Sequence, residues 1–172
     1  GTTNGIDLFK AGGRLMMAVV RNGYLWTCHA VGLNGTNGTY VGDTSGTKVD
    51  RSGIQWFKLQ IGPDGSDLAL NDHGRVFDSA ATNAWWYHYP SLAVNCAGDM
   101  VAGFSGSSAT NYIGAFHTWR LADGSVLNQP RLIQPGTTNV TVVEFRWGDY
   151  SATTSDPADD WSFWTVQEYA TP

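Results

Sequence analysis

The strongest constraint on this chain is a turn in its setting. Arg14-Leu-Met-Met-Ala-Val-Val20 and Tyr24-Leu-Trp-Thr-Cys-His-Ala-Val31 are apolar runs joined by Arg21-Asn22-Gly23. Asn and Gly both accept positive φ, which a tight hairpin turn demands at its two central residues, so the runs are expected to fold back on one another. No stretch of roughly 10 to 12 residues carries the caps and apolar period of a helix. The expected class is all-β.

The same grammar continues downstream. Gly32 to Arg51 is rich in Gly, Thr, Asn and Ser and reads as a long polar loop. Ile54 to Ile61 alternates as a strand, with a local irregularity, and Gly62-Pro-Asp-Gly65 ends it. Leu68 to Leu70 and Arg75 to Phe77 are expected as a turn-linked pair around Asn71-Asp-His-Gly74. Further strands are expected from Ser91 to Val94, Asp99 to Ser105, Asn111 to Leu121, Val140 to Trp147, Tyr150 to Thr154 and Trp161 to Tyr169. Twenty-one glycines and eight tryptophans suit many short strands packed through aromatic faces.

Three segments overlay. Leu15 to Thr27, Pro90 to Phe104 and Asp149 to Trp164 each place a small residue (Ala18, Ala93, Ala152) before a tight turn and return on an apolar strand. Their starts lie about 60 to 75 residues apart, one four-stranded sheet with its loops. The expected architecture is therefore a β-propeller-like array of antiparallel four-stranded sheets, about three blades and a partial one, with a β-sandwich as the alternative.

Arg146-Trp-Gly-Asp-Tyr-Ser-Ala-Thr-Thr-Ser-Asp-Pro-Ala-Asp-Asp-Trp-Ser-Phe-Trp-Thr-Val-Gln-Glu-Tyr169 resembles a signature near the end of large bacterial exported proteins with sialidase-like β-propellers. Arg14 to Val31 and Tyr89 to Ser105 are similar to the same family in the same order. The resemblance implies fold far more than activity. In similar sequences further strand-like residues follow Gln-Glu-Tyr, so the last blade is expected to have two strands here. Residues 1–172 are accordingly expected to be one propeller segment, a fragment or a protomer whose sheets are completed by the remaining blades of a longer chain, by itself or by another protein. The expected setting is extracytoplasmic.

Charge narrows the partners. The net charge is −5, and three Lys and seven Arg form no basic patch, so nucleic acid is not an expected ligand. No apolar run reaches the length of a membrane-spanning helix.

Candidate chemistry is thin. A sialidase-type glycoside hydrolase needs arginines gripping a carboxylate, a Tyr nucleophile with a Glu partner, and an Asp acid/base. Arg14, Arg51, Arg146, Glu144, Asp149 and Tyr150 supply the types. For Asp149 and Tyr150 the alternative is a structural turn into a strand. Trp85, Trp86, Tyr87 and Tyr89, with His88 among them, form the densest aromatic run. Such rings either stack sugars or peptides on a rim or fill the space between sheets.

Asp156, Asp159 and Asp160 could ligate calcium, although their spacing fits no EF-hand and a solvated turn is the plainer reading; no other cofactor is expected. Cys28 and Cys96 either pair as a disulfide or stand as two thiols. Gly103-Phe-Ser-Gly106 is one residue short of a nucleophile elbow, and the four histidines lie too far apart in sequence for a compact metal motif. Asn34, Asn37 and Asn139 match a glycosylation acceptor pattern that a Gly/Asn/Thr-rich loop produces by chance. The expected function is a non-catalytic binding or assembly scaffold recognising glycan or protein, with a sialidase-type hydrolase segment as the alternative.

Overall fold

The computed structural model describes residues 14–41, 48–124, 126–140, 147 and 150–172. Among them there are eleven strands: β1 (Met17–Arg21), β2 (Tyr24–Asn34), β3 (Thr39–Tyr40), β4 (Arg51–Ile61), β5 (Leu68–Val76), β6 (Trp86–Val94), β7 (Met100–Ser107), β8 (Gly114–Arg120), β9 (Arg131–Gln134), β10 (Ala152–Ser155) and β11 (Phe163–Val166). The protein is all-β. No helix among the described residues is long and apolar enough to cross a membrane.

The strands form three antiparallel sheets. The first runs β1-β2-β4-β5 with β3 added to β2, the second β6-β7-β8-β9, and the third is the two-stranded ribbon β10-β11. The opening hairpin forms where Asn22 and Gly23 adopt φ of 52° and 78°. Asn71-Asp-His-Gly74 does not make the expected turn. Leu68–Val76 is one strand, and a register shift opposite Lys58/Leu59 absorbs the irregularity. The expected polar loop after Gly32 holds the end of β2 and all of β3, which pairs back on Leu33 and Asn34. The expected strand over Val140 to Trp147 lies largely outside the described residues.

The second sheet meets both of its neighbours through its first strand, β6. β6 packs on β1, β2 and β4 of the first sheet and on β10 of the ribbon, and β7 touches both ribbon strands. Ala18, Ala93 and Ala152 of the overlaid segments fall on β1, β6 and β10. The described sheets form an open row, and the ring is not closed.

The two interfaces differ in chemistry. Between the first and second sheets lies an apolar core of Trp26, Cys28, Ile54, Trp56 and Val76 against Leu92, Val94, Met100, Ala102, Phe104 and Phe116. Burying each large side chain contributes about 1.5 to 3 kcal/mol. Alternation then turns the odd-numbered residues of β7 toward the ribbon, and there the contact is polar. Ser91 and Thr153 hydroxyls meet at 2.7 Å, Thr153 and Thr165 at 2.9 Å, Ser151 and Ser91 at 2.7 Å, and Ser151 donates to the Gln167 side-chain carbonyl at 2.8 Å. Gly103 permits this approach, because a Cβ there would collide with Thr165 Oγ1 and the Gln167 amide.

The tight turns that follow the three first strands are tied together at one end of the stack. Arg21 pairs with Asp160 and donates from Nε to the Asn95 carbonyl. Asn22 donates to the Cys96 carbonyl at 3.1 Å, and the Cys96 amide donates to the Asp160 carbonyl at 3.1 Å. One cation therefore bridges the first and third sheets across the second.

Candidate functional site

The aromatic run at β6 splits between two environments. Trp85 and Tyr87 sit in the main core: Trp85 meets Phe116 edge-on at 4.8 Å, and Tyr87 meets Phe104 at 5.0 Å and Phe116 at 5.4 Å. Tyr87 is buried, and desolvation, helped by the charge of Asp78, raises its phenol pKa. Tyr89, at φ 50°, packs on a small second cluster of Ile113, Trp147 and Ala170. Trp86 is half-buried. The run is thus divided by the register shift between His88 and Ser91 and forms no common stacking platform.

Tyr150 is 81% exposed at the entrance to β10. Arg146, Asp149 and Glu144 lie outside the described residues. The other arginines considered for carboxylate binding do not converge. Arg51 is buried and donates to the Asp78 and Ala80 carbonyls while pairing with Asp50. That pairing, with the Gly35 amide, holds the Asp50 carboxyl below its usual pKa. Arg14 is exposed.

The three aspartates after β10 are engaged locally. Asp156 accepts from the Ala158 amide and the Trp164 indole, and Asp159 accepts from the Trp161 and Ser162 amides and the Ser162 hydroxyl. These bonds lower the Asp159 pKa. Asp160 pairs with Arg21. Among the described residues no three His, Cys, Asp or Glu are placed to hold a metal ion.

Of the two states open to the cysteines, the structure has the unpaired one. Cys28 is buried in β2 and Cys96 is exposed in the turn after β6. Asn22 bonds Cys96 at the turn end, whereas Cys28 lies five residues along β2 from Gly23, about 16 Å at strand rise and beyond disulfide reach. Burial pushes the Cys28 thiol pKa up to about 12.

A site the candidate residues did not include lies beside the ribbon. β10 and β11 cover β6 and part of β7, and among the described residues they leave the same face uncovered at Val101, His117, Trp119 and Ile133. The result is a groove of about 420 Å³ lined by Val101, His117, Trp119, Ile133, Phe163 and Thr165. His117 stacks on Trp119 at 5.7 Å, and the Arg131 guanidinium lies 4.9 Å over the Trp119 ring. Partial burial and the Arg131 charge lower the His117 pKa. The available signal was the alternation in β8, where Phe116 and Thr118 face the core while His117 and Trp119 fall on the opposite face.

A second, polar recess of about 430 Å³ is lined by residues 107–113 and 138–140. Comparison of the chain with protein-family models, with curated proteins and with solved structures finds no match in any of the three.

Proposed function

We propose that this chain is a non-catalytic scaffold and binding segment of an exported bacterial β-propeller protein, of the sialidase-like kind its last motif resembles. Its work is to hold surfaces for a protein or glycan partner and to have its unfinished sheet completed by that partner or by further blades. The observation that carries this reading is the ribbon. One of its faces is fixed to the second sheet through Gly103 and the hydroxyl network. The other face exposes Trp164 at 63% and Val166 at 72%. β11 pairs with β10 and with no other described strand. An apolar face beside an open strand edge is what natural proteins cover.

The hydrolase alternative needs arginines focused on one substrate carboxylate. Arg21, Arg51 and Arg120 are instead engaged with Asp160, Asp50 and Asp72, and Arg131 with Trp119. The discriminating assay is hydrolysis of a fluorogenic α-sialoside by the purified chain. No turnover above buffer is expected; turnover abolished by Tyr150→Phe would overturn the scaffold reading.

A further inference from the structure

We infer that the groove beside β11 is a docking site for an extended peptide strand, which adds to the edge of β11 that no other described strand pairs and lays alternate apolar side chains on β8 and β9. The inference rests on the scaffold reading and names the kind of partner it uses.

The register of the ribbon decides which groups the edge offers. The Asp156 amide donates to the Ser162 carbonyl, so the pairs alternate from there. Trp164 and Val166 exchange backbone hydrogen bonds with β10, and Phe163 and Thr165 point their N–H and C=O groups away from it. These two residues also contribute side chains to the groove. The wall of the groove and the strand edge without a partner among the described residues are therefore the same residues. A strand pairing there would place every second side chain over Val101, His117, Trp119 and Ile133.

The groove also continues an existing interface. The face of the second sheet that the ribbon covers at Ser91, Ala93 and Gly103 runs on without a break to His117 and Trp119, their register neighbours across β7 and β8. Sheet-on-sheet packing already occupies half of this face, and the open half is one or two strands wide.

The chemistry selects a peptide. Its backbone repeats donors and acceptors at the spacing β11 presents, and its apolar side chains suit a floor in which Ile133 is 47% exposed. Arg131, exposed at the groove margin, favours an acidic residue in the incoming strand. The ribbon of a second copy does not fit. Antiparallel pairing through the same edge keeps both inner faces on one side, so the second copy's own β8 and β9 would fall in the space of the first.

The test is residue-resolved amide hydrogen exchange on the whole chain, with a synthetic nonapeptide of alternating valine and threonine carrying one aspartate. At about 1 mM peptide the Phe163 and Thr165 amides should slow about tenfold, corresponding to a Kd near 0.1 mM. The slowing should vanish with a peptide N-methylated on its pairing edge and in Ile133→Asp, while the Phe104 amide stays protected and reports an intact core. No slowing, or equal slowing by the N-methylated peptide, would overturn strand addition. So would protection of both amides without peptide that rises with protein concentration, which would assign the edge to a second copy, or protection by maltohexaose in place of the peptide. Sialoside turnover is scored separately, so failure of the groove and failure of the scaffold reading remain distinct.

Discussion

Gly103→Ala tests the packing of the ribbon with one methyl group. In a flexible region such a change stabilises by about 0.4 to 1 kcal/mol, because alanine restricts the unfolded chain. Here the added Cβ would overlap Thr165 Oγ1 and the Gln167 amide, so the ribbon or those side chains must shift. Overpacking of this kind costs about 1 to 3 kcal/mol, and each lost hydrogen bond about 0.5 to 1.5 kcal/mol more. Thr165 and Gln167 bond each other at 2.9 Å, and they bond Thr153 and Ser91 across the network. Overlap wins over chain entropy, and a net loss of about 0.5 to 4 kcal/mol follows. Urea unfolding followed by tryptophan fluorescence measures it. Thr165→Ala should recover part of the loss when combined with Gly103→Ala, because it removes one of the overlapped atoms. A Gly103→Ala chain as stable as the parent would refute the close polar interface.

Three further outcomes follow from single groups. His88 is buried, and desolvation lowers its pKa from 6.5 to about 4. Between those values the unfolded chain binds more protons, so stability should fall as pH drops from 6.5 to 4, by up to roughly 3 kcal/mol, and His88→Gln should flatten that window in urea titrations. Iodoacetamide should label Cys96 in the native chain and reach Cys28 only after unfolding, as mass spectrometry of labelled peptides would record. Arg21→Ala should remove the bridge to Asp160 and Asn95 and cost about 1 kcal/mol, since the pair is partly exposed, as measured by chemical denaturation.

The fold was most legible where local chemistry and tertiary packing agree. Asn22-Gly23 has one good turn to make, and Ala18, Ala93 and Ala152 do fall on the three first strands, but only Ala93 is buried between sheets, so close packing explains the small residue there alone. Asn71 to Gly74 misled because turn-forming residues can also be accommodated by a β-bulge, with Gly74 lying close under the Trp56 ring. The aromatic run was visible, but its division was not. The backbone shift between His88 and Ser91, with Tyr89 at positive φ, decides which rings enter the core. The groove was hidden for a different reason. Val101, Trp119, Ile133 and Phe163 come from four strands, and only the narrowness of the ribbon leaves them uncovered.

The central claim is that the ribbon's outer face, carrying Trp164 and Val166, is a surface made for association, with a second copy as the one partner present in a pure solution. Light scattering over a concentration series tests it most directly. The account predicts a particle heavier than one 18.6 kDa chain, growing with concentration and reduced to a single chain by Trp164→Asp combined with Val166→Asp. A particle of 18.6 kDa at every concentration, unchanged by that pair of substitutions, would contradict it.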